Sequence, residues 1–178
     1  MAMLGTILKI TGCILVISSC TGMGWLFGTE IKKRLEDLKS AKTIALLLRG
    51  DIRYAHTALP EALDNVSRRH EGRLAPFLKR VAKDLREYSG KSFNEIWKSA
   101  MNSELNHTSL TKKDKMCLMQ FGEQLGYLDK DMQINHIDWY ITQVEEDMKE
   151  ISIDAKDKIR LYRSLGVLFG VLITILIL

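Results

Sequence analysis

The chain has 178 residues, enough for one domain of ordinary size, with 27% charged and 46% hydrophobic residues. Two prolines and twelve glycines exclude a collagen-like or Pro/Gly-rich disordered chain, and a formal charge of only +4, without a concentrated basic run, argues against nucleic acid as a partner. Three cysteines exclude a disulfide framework: Cys13 and Cys20 sit in an apolar stretch and Cys117 stands alone.

The charge is segregated. Residues 1–28 carry one charged side chain, Lys9, and residues 164–178 carry none. The sequence therefore divides into an apolar segment (1–28), a charged middle domain (29–163) and a second apolar segment (164–178). From Ile10 to Thr29 no side chain is charged, and a helix of that length covers roughly 30 Å, the thickness of a bilayer core. Ser164 to Leu178 covers about 22 Å on the same rise, and Arg160 and Arg163 can snorkel at its entry. Both segments are expected to be transmembrane helices. A cleaved signal is the alternative for the first: Lys9 and Ile10–Ile17 fit its start, and Ile17-Ser18-Ser19-Cys20 looks like a lipoprotein site. Against it, the apolar character continues through Met23, Trp25, Leu26 and Phe27.

Basic residues set the expected orientation. Lys32, Lys33, Arg34, Lys39 and Lys42 follow the first span, and Lys156, Lys158, Arg160 and Arg163 precede the second. Both ends place the middle domain in the cytoplasm and both termini outside. Gly24-x-x-x-Gly28 and Gly166-x-x-x-Gly170 put small residues one turn apart, a spacing that lets helices pack closely in lipid, although glycine is common in such spans anyway.

Helical spacing runs through the middle domain and strand alternation is lacking, so the expected class is all-α, a helical bundle. A helix is expected from Glu30 to Ala55 on the stripe Ile31, Leu35, Leu38, Ala45, Leu48, Ile52 and Ala55. Leu59-Pro60 breaks the chain, and a helix over about 60–70 ends near Gly72. Pro76 opens another, with Phe77, Leu78, Val81 and Leu85 on one face, ending at Ser89-Gly90. Ser92-x-x-Glu95 reads as a capping box before Ile96, Trp97 and Met101, followed by a polar loop over 102–109. Thr111-x-x-Asp114 is a weaker cap for a helix with the stripe Leu118, Phe121 and Leu125, stopped by Gly126.

The last helix is the longest, from Lys130 into the second apolar segment. Ile134, Ile137, Ile141, Val144, Met148, Ile151 and Ala155 step 3-4-3-4-3-4, a heptad seam. It can pair antiparallel with the seam of the first helix to form a stalk, or dimerise with a second copy; the sequence leaves both open. Trp97 and Trp139 are expected in packing roles, and Tyr54, Tyr162 and Trp25 at a membrane interface or between domains.

Chemistry-bearing patterns are missing. His56, His70, His107 and His136 lie outside metal-ligand spacing, and no phosphate loop or nucleophile elbow occurs. No cofactor or metal is expected, and the scattered acids read as solvated helix faces.

Three stretches together resemble a known family. Asp51-Ile52-Arg53-Tyr54-Ala55-His56-Thr57-Ala58-Leu59-Pro60-Glu61-Ala62-Leu63 resembles a stretch of stage III sporulation protein AB proteins. Leu110–Asp114 followed by Phe121–Asp129 resembles their second block, and Arg160–Leu168 their entry to the last span. Ala58 stands where proline is typical of the family, which loosens one turn and removes no chemistry. The resemblance implies a membrane protein of the mother cell in endospore-forming bacteria, in an assembly linking mother cell and forespore. It also implies a middle domain similar to the cytoplasmic domain of type II secretion F proteins, which are platform subunits without a known catalytic site. The implied partners are a secretion-type ATPase, stage III sporulation protein AA, and other stage III membrane subunits, with a homo-oligomer open.

The expected function is thus a non-enzymatic platform. A membrane-tethered sensor binding a small ligand is the alternative, and a membrane enzyme is the third. Expected partner-binding residues are Tyr54, Leu59, Pro60 and Glu61 in one turn and Gly122, Gly126 and Asp129 in one loop. Capping and packing are the competing reading of the same residues.

Overall fold

The computed structural model describes residues 2–87, 90–126 and 129–177, with side-chain surroundings given mainly between Thr29 and Ala155. The regular structure of the described residues is helical throughout: α1 Ala2–Arg53, α2 Leu59–Arg69, α3 Ala75–Arg86, α4 Phe93–Glu104, α5 Lys112–Leu125 and α6 Lys130–Ile177. The chain forms two compact units, one from Met1–Lys32 with Glu150–Leu178, the other from Lys33–Lys149. Among the described residues no helix is long and apolar enough to cross a membrane. The two apolar runs, with Gly24, Gly28, Gly166 and Gly170, fall where nearly all side chains lie outside the described residues, as do Trp25 and Tyr162.

Within the unit 33–149, α1 contributes Leu38, Ala41, Ala45, Leu48 and Ile52 to the core, and α6 contributes Ile137, Tyr140, Ile141 and Val144. Lys42 pairs with Glu145 at 2.7 Å and Arg49 with Asp138 at 2.5 Å. A step forward along α1 matches an equal step back along α6, so the two helices are antiparallel in this unit. The apolar seams therefore pair within one chain here. Each fully buried Leu or Ile is worth about 1.5–3 kcal/mol, and an exposed ion pair no more than about 1 kcal/mol. Apolar burial thus holds the pair together, and the ion pairs select its register.

The four shorter helices complete the bundle. Pro60 and Pro76 occupy the first turns of α2 and α3, where the missing amide costs nothing. Ser92 and Glu95 form a full capping box on α4, and Thr111 and Asp114 one on α5. Gly90 has φ 72°, the left-handed conformation expected after α3. Trp97 is the centre of the core, with Phe77 edge-on at 4.9 Å and Phe121 at 6.1 Å, and its Nε1 donates to the Leu118 carbonyl at 3.1 Å.

The structure corrects several expectations. The first helix ends at Arg53, so Ala55 is exposed, and His56 takes φ 54° in the turn. Helix α4 runs on to Glu104, through part of the expected polar loop. Helix α5 does stop at Leu125 with Gly126 as its C-cap, but Gly126 keeps φ −72° and is not left-handed. A Cβ there would lie 2.8 Å from the Phe93 ring, so close packing of α5 on Phe93 requires the glycine. Trp139, expected as a core or half-buried packing residue, is 50% exposed and stacks on His136 at 5.9 Å, the second of those two roles.

Candidate functional site

The antiparallel pair places the end of α1 and the start of α6 together. His56 Nδ1 meets Lys130 Nζ across that junction. The turn Tyr54–Glu61 and the loop around Asp129, two segments far apart in sequence, therefore share one end of the unit 33–149. It is the end remote from Lys33 and Lys149, because α1 runs into it and α6 runs out of it.

This end is open to solvent. Tyr54 is 77% exposed, with the Arg53 guanidinium 5.8 Å from its ring centre. Pro60 and Glu61 are exposed, and Leu59 is half-buried. Asp129 caps α6 by accepting the Met132 amide at 2.9 Å, and Met132 beside it is exposed. The two glycines play a different part. Gly126 is exposed against Phe93, whereas Gly122 is buried beneath the Trp97 indole and reaches no solvent. Five of the seven expected contact residues thus lie in the turn and at Asp129, and the two glycines shape the packing behind them.

The chemistry inside the bundle is structural. Asp114 is buried and takes a two-pronged bond from Arg34, at 2.8 and 2.9 Å, while also accepting the Thr111 amide. Burial alone would push its carboxyl up; Arg34 and the Thr111 amide and hydroxyl outweigh that and hold it below the usual range. Burial pushes the Cys117 thiol up, aided by Asp147 and Asp114, so the thiol stays protonated and unreactive at neutral pH. Among the described residues no group of three His, Cys, Asp or Glu could hold a metal ion.

Two buried histidines escape a reading from spacing. His70 bonds Ser40 Oγ through Nε2 at 2.7 Å. His136 stacks between Phe121 at 5.6 Å and Trp139 at 5.9 Å. Burial lowers both imidazoles, and in His136 a bond to the Phe121 backbone only partly opposes it. A base lowered on folding is charged more easily in the unfolded chain. The stability it confers is complete above the ordinary imidazole value of about 6.5 and is lost as pH falls from there through the folded value. The unfolding midpoint should therefore drop as pH falls below about 6.5, and His136→Phe should flatten that slope. An identical slope in the variant would assign the effect elsewhere.

The fold and its exposed end can be set beside known proteins. The family model described as stage III sporulation protein AB matches residues 9–178. A stage III sporulation protein AB of Bacillus subtilis (strain 168) is 23% identical over 170 residues, covering 96% of this chain and 99% of that protein. A solved structure of stage III sporulation protein AB (SpoIIIAB) shares the fold with a TM-score of 0.62 at 22% identity, over 70% of this chain and 97% of that one. These relatives are named as sporulation proteins and not as enzymes. Matched over nearly its whole length by one family model, with a helical bundle of the same fold, this chain belongs to the stage III sporulation protein AB family, and that family places it in sporulation.

Proposed function

We propose that this protein is a non-enzymatic membrane platform subunit of a secretion-like apparatus between mother cell and forespore. In this reading it is held in the mother-cell membrane by the two apolar segments, with the middle domain cytoplasmic and both termini outside. It docks an assembly ATPase of the stage III sporulation protein AA type, together with other stage III membrane subunits. The observation that carries the reading is the meeting of two family-like segments, Tyr54–Glu61 and the loop at Asp129, on one exposed end. The exposure of Tyr54, Pro60, Glu61 and Met132 there offers side chains to a partner.

The test is a pull-down of tagged full-length protein from detergent-solubilised membranes of sporulating cells. The wild type should recover a secretion-type ATPase and sporulation membrane subunits. Glu61→Lys should lose the ATPase while the protein stays folded. Glu61 lies in the first turn of α2, where a reversed charge costs only about 0.3–1 kcal/mol. Asp129→Lys should act in the same direction, with some fraying of α6 where the cap is lost. Normal recovery and normal sporulation with both changes would remove this end from the docking surface.

A further inference from the structure

The heptad seam of α6 is spent inside the chain, and another face of the same helix points outward. Three contacts set α5 antiparallel to α6. Lys113 pairs with Asp147 at 2.7 Å, the Phe121 ring stacks on Tyr140 at 4.2 Å, and Gln133 donates to the Leu125 carbonyl at 2.9 Å. One flank of α5 is covered by α4, through Trp97 over Gly122. One flank of α6 is covered by α1, through Arg49–Asp138 and Lys42–Glu145. The two remaining flanks adjoin. On α5 that flank carries Gln120 and Gln124, and on α6 it carries Met132, Asn135, Trp139 and Gln143, at helical steps of three and four.

Trp139 is 50% exposed and Met132 56%. Gln120, Gln124 and Asn135 are exposed, and Gln143 is half-buried. None of the six is charged, in a chain that is 27% charged. Charged groups stand at the two ends of the face, Lys113 and Asp147 at one and Asp129 and Asp131 at the other. Tryptophan and methionine inside a charged rim is the composition of a protein–protein contact. The Trp139 ring is already held by its stack on His136, with 18° between the planes, so binding has little side-chain freedom left to remove.

Two features select the occupant. A two-fold axis sets a face against itself, so a charge near the axis would meet its own copy, and this face carries none there. Four of the six residues are primary amides, and an amide holds donor and acceptor together, so it complements a second copy of itself. The area agrees: the six expose on the order of 500 Å² per copy, and the rim brings a pair to about 1,200 Å², the low edge of specific interfaces.

We propose that the outer face of α5 and α6, centred on Trp139, is a two-fold contact between copies of this chain. The contact needs no other protein, so it stands or falls apart from the docking of an ATPase.

Sedimentation equilibrium of the purified full-length protein in density-matched detergent micelles tests this. The wild type should dimerise with a dissociation constant of about 10–100 μM. Trp139→Ala should weaken the dimer at least tenfold. Gln120 stands at the level of Trp139, because Phe121 stacks on both His136 and Tyr140. Gln120→Glu and Gln120→Lys alter only an exposed side chain. Each alone should weaken the dimer at least tenfold by setting like charges across the axis, and an equimolar mixture should recover the wild-type affinity. That recovery separates a lost contact from a lost fold. In membranes of sporulating cells, a photo-cross-linking benzophenone residue in place of Asn135 should join two copies. A wild type that stays monomeric up to about 200 μM would overturn the proposal. So would a dimer of unchanged affinity in all three variants, which would place association in the apolar segments. Capture of a different protein in place of a second copy would assign the face to that partner and overturn the pairing.

Discussion

Gly122→Ala should destabilise the full-length protein by about 3–5 kcal/mol, the sum of an overpacked core and a broken buried hydrogen bond. The new Cβ would lie 2.2 Å from Trp97 Nε1, 2.3 Å from Cε2 and 2.4 Å from Cδ1. These are atoms of a rigid ring, and the ring has nowhere to retreat. Trp97 is 1% exposed, with Phe77, Phe93 and Phe121 around it. Moving it also pulls Nε1 from the Leu118 carbonyl and leaves both groups buried. Denaturant titration followed by circular dichroism measures the loss. Gly126→Ala is the internal comparison: its Cβ meets only the half-buried Phe93 at 2.8 Å, so the cost should be nearer 1 kcal/mol. In the double variant Gly122→Ala/Trp97→Leu the two costs should fall well short of additive, since the clash is gone. Full additivity would show that the indole does not fix residue 122.

The second large effect concerns Arg34. Arg34→Met should cost about 3–5 kcal/mol at neutral pH, because it leaves the Asp114 carboxylate buried without its cation. The pH dependence gives this prediction a sign. In the wild type the Asp114 carboxyl is depressed, so its contribution is present above the ordinary carboxylate value and lost as pH falls through the lower folded value. In the variant only burial and the Thr111 bonds remain, and burial raises the carboxyl. The variant therefore recovers on mild acidification, and the gap between the two proteins narrows. Asp114→Asn in the Arg34→Met background should restore part of the loss, because it removes the stranded charge. A gap that is constant with pH would mean that Arg34 acts through its stem alone.

Local signals in the sequence carried most of the helix boundaries. Ser92 with Glu95 and Thr111 with Asp114 are short-range chemistry, and both boxes form in full. The heptad steps of Ile137, Ile141 and Val144 mark a face that is indeed buried. What stayed hidden depends on partners distant in sequence. Asp37 continues the stripe Ala41, Ile44 and Leu48 backward by four residues, so an acid on a buried face could have been noticed. Its use, however, depends on Ser109 and Arg73, which lie in other segments. Gly122 looks like any helix glycine until the Trp97 ring is placed over it. The stack of Phe121, His136 and Trp139 forms only when α5 and α6 are in register, which no pattern within either helix announces. The exposed end is a middle case: its two segments could each be singled out, and their meeting could not.

The pairing of α1 with α6 also sets a timetable for the nascent chain. Arg49 and Asp138 are 89 residues apart in sequence. At bacterial translation speeds of roughly 5–20 residues per second, about 4–18 s pass between the synthesis of one and the other. Throughout that interval the greasy side of the first helix, Leu38 to Ile52, lacks its final cover. Helices α2 to α5 can assemble among themselves earlier, since Phe77, Trp97 and Phe121 meet without α6. Closure of the bundle is thus a late event on the ribosome, and until then the uncovered apolar face of the first helix is an aggregation hazard.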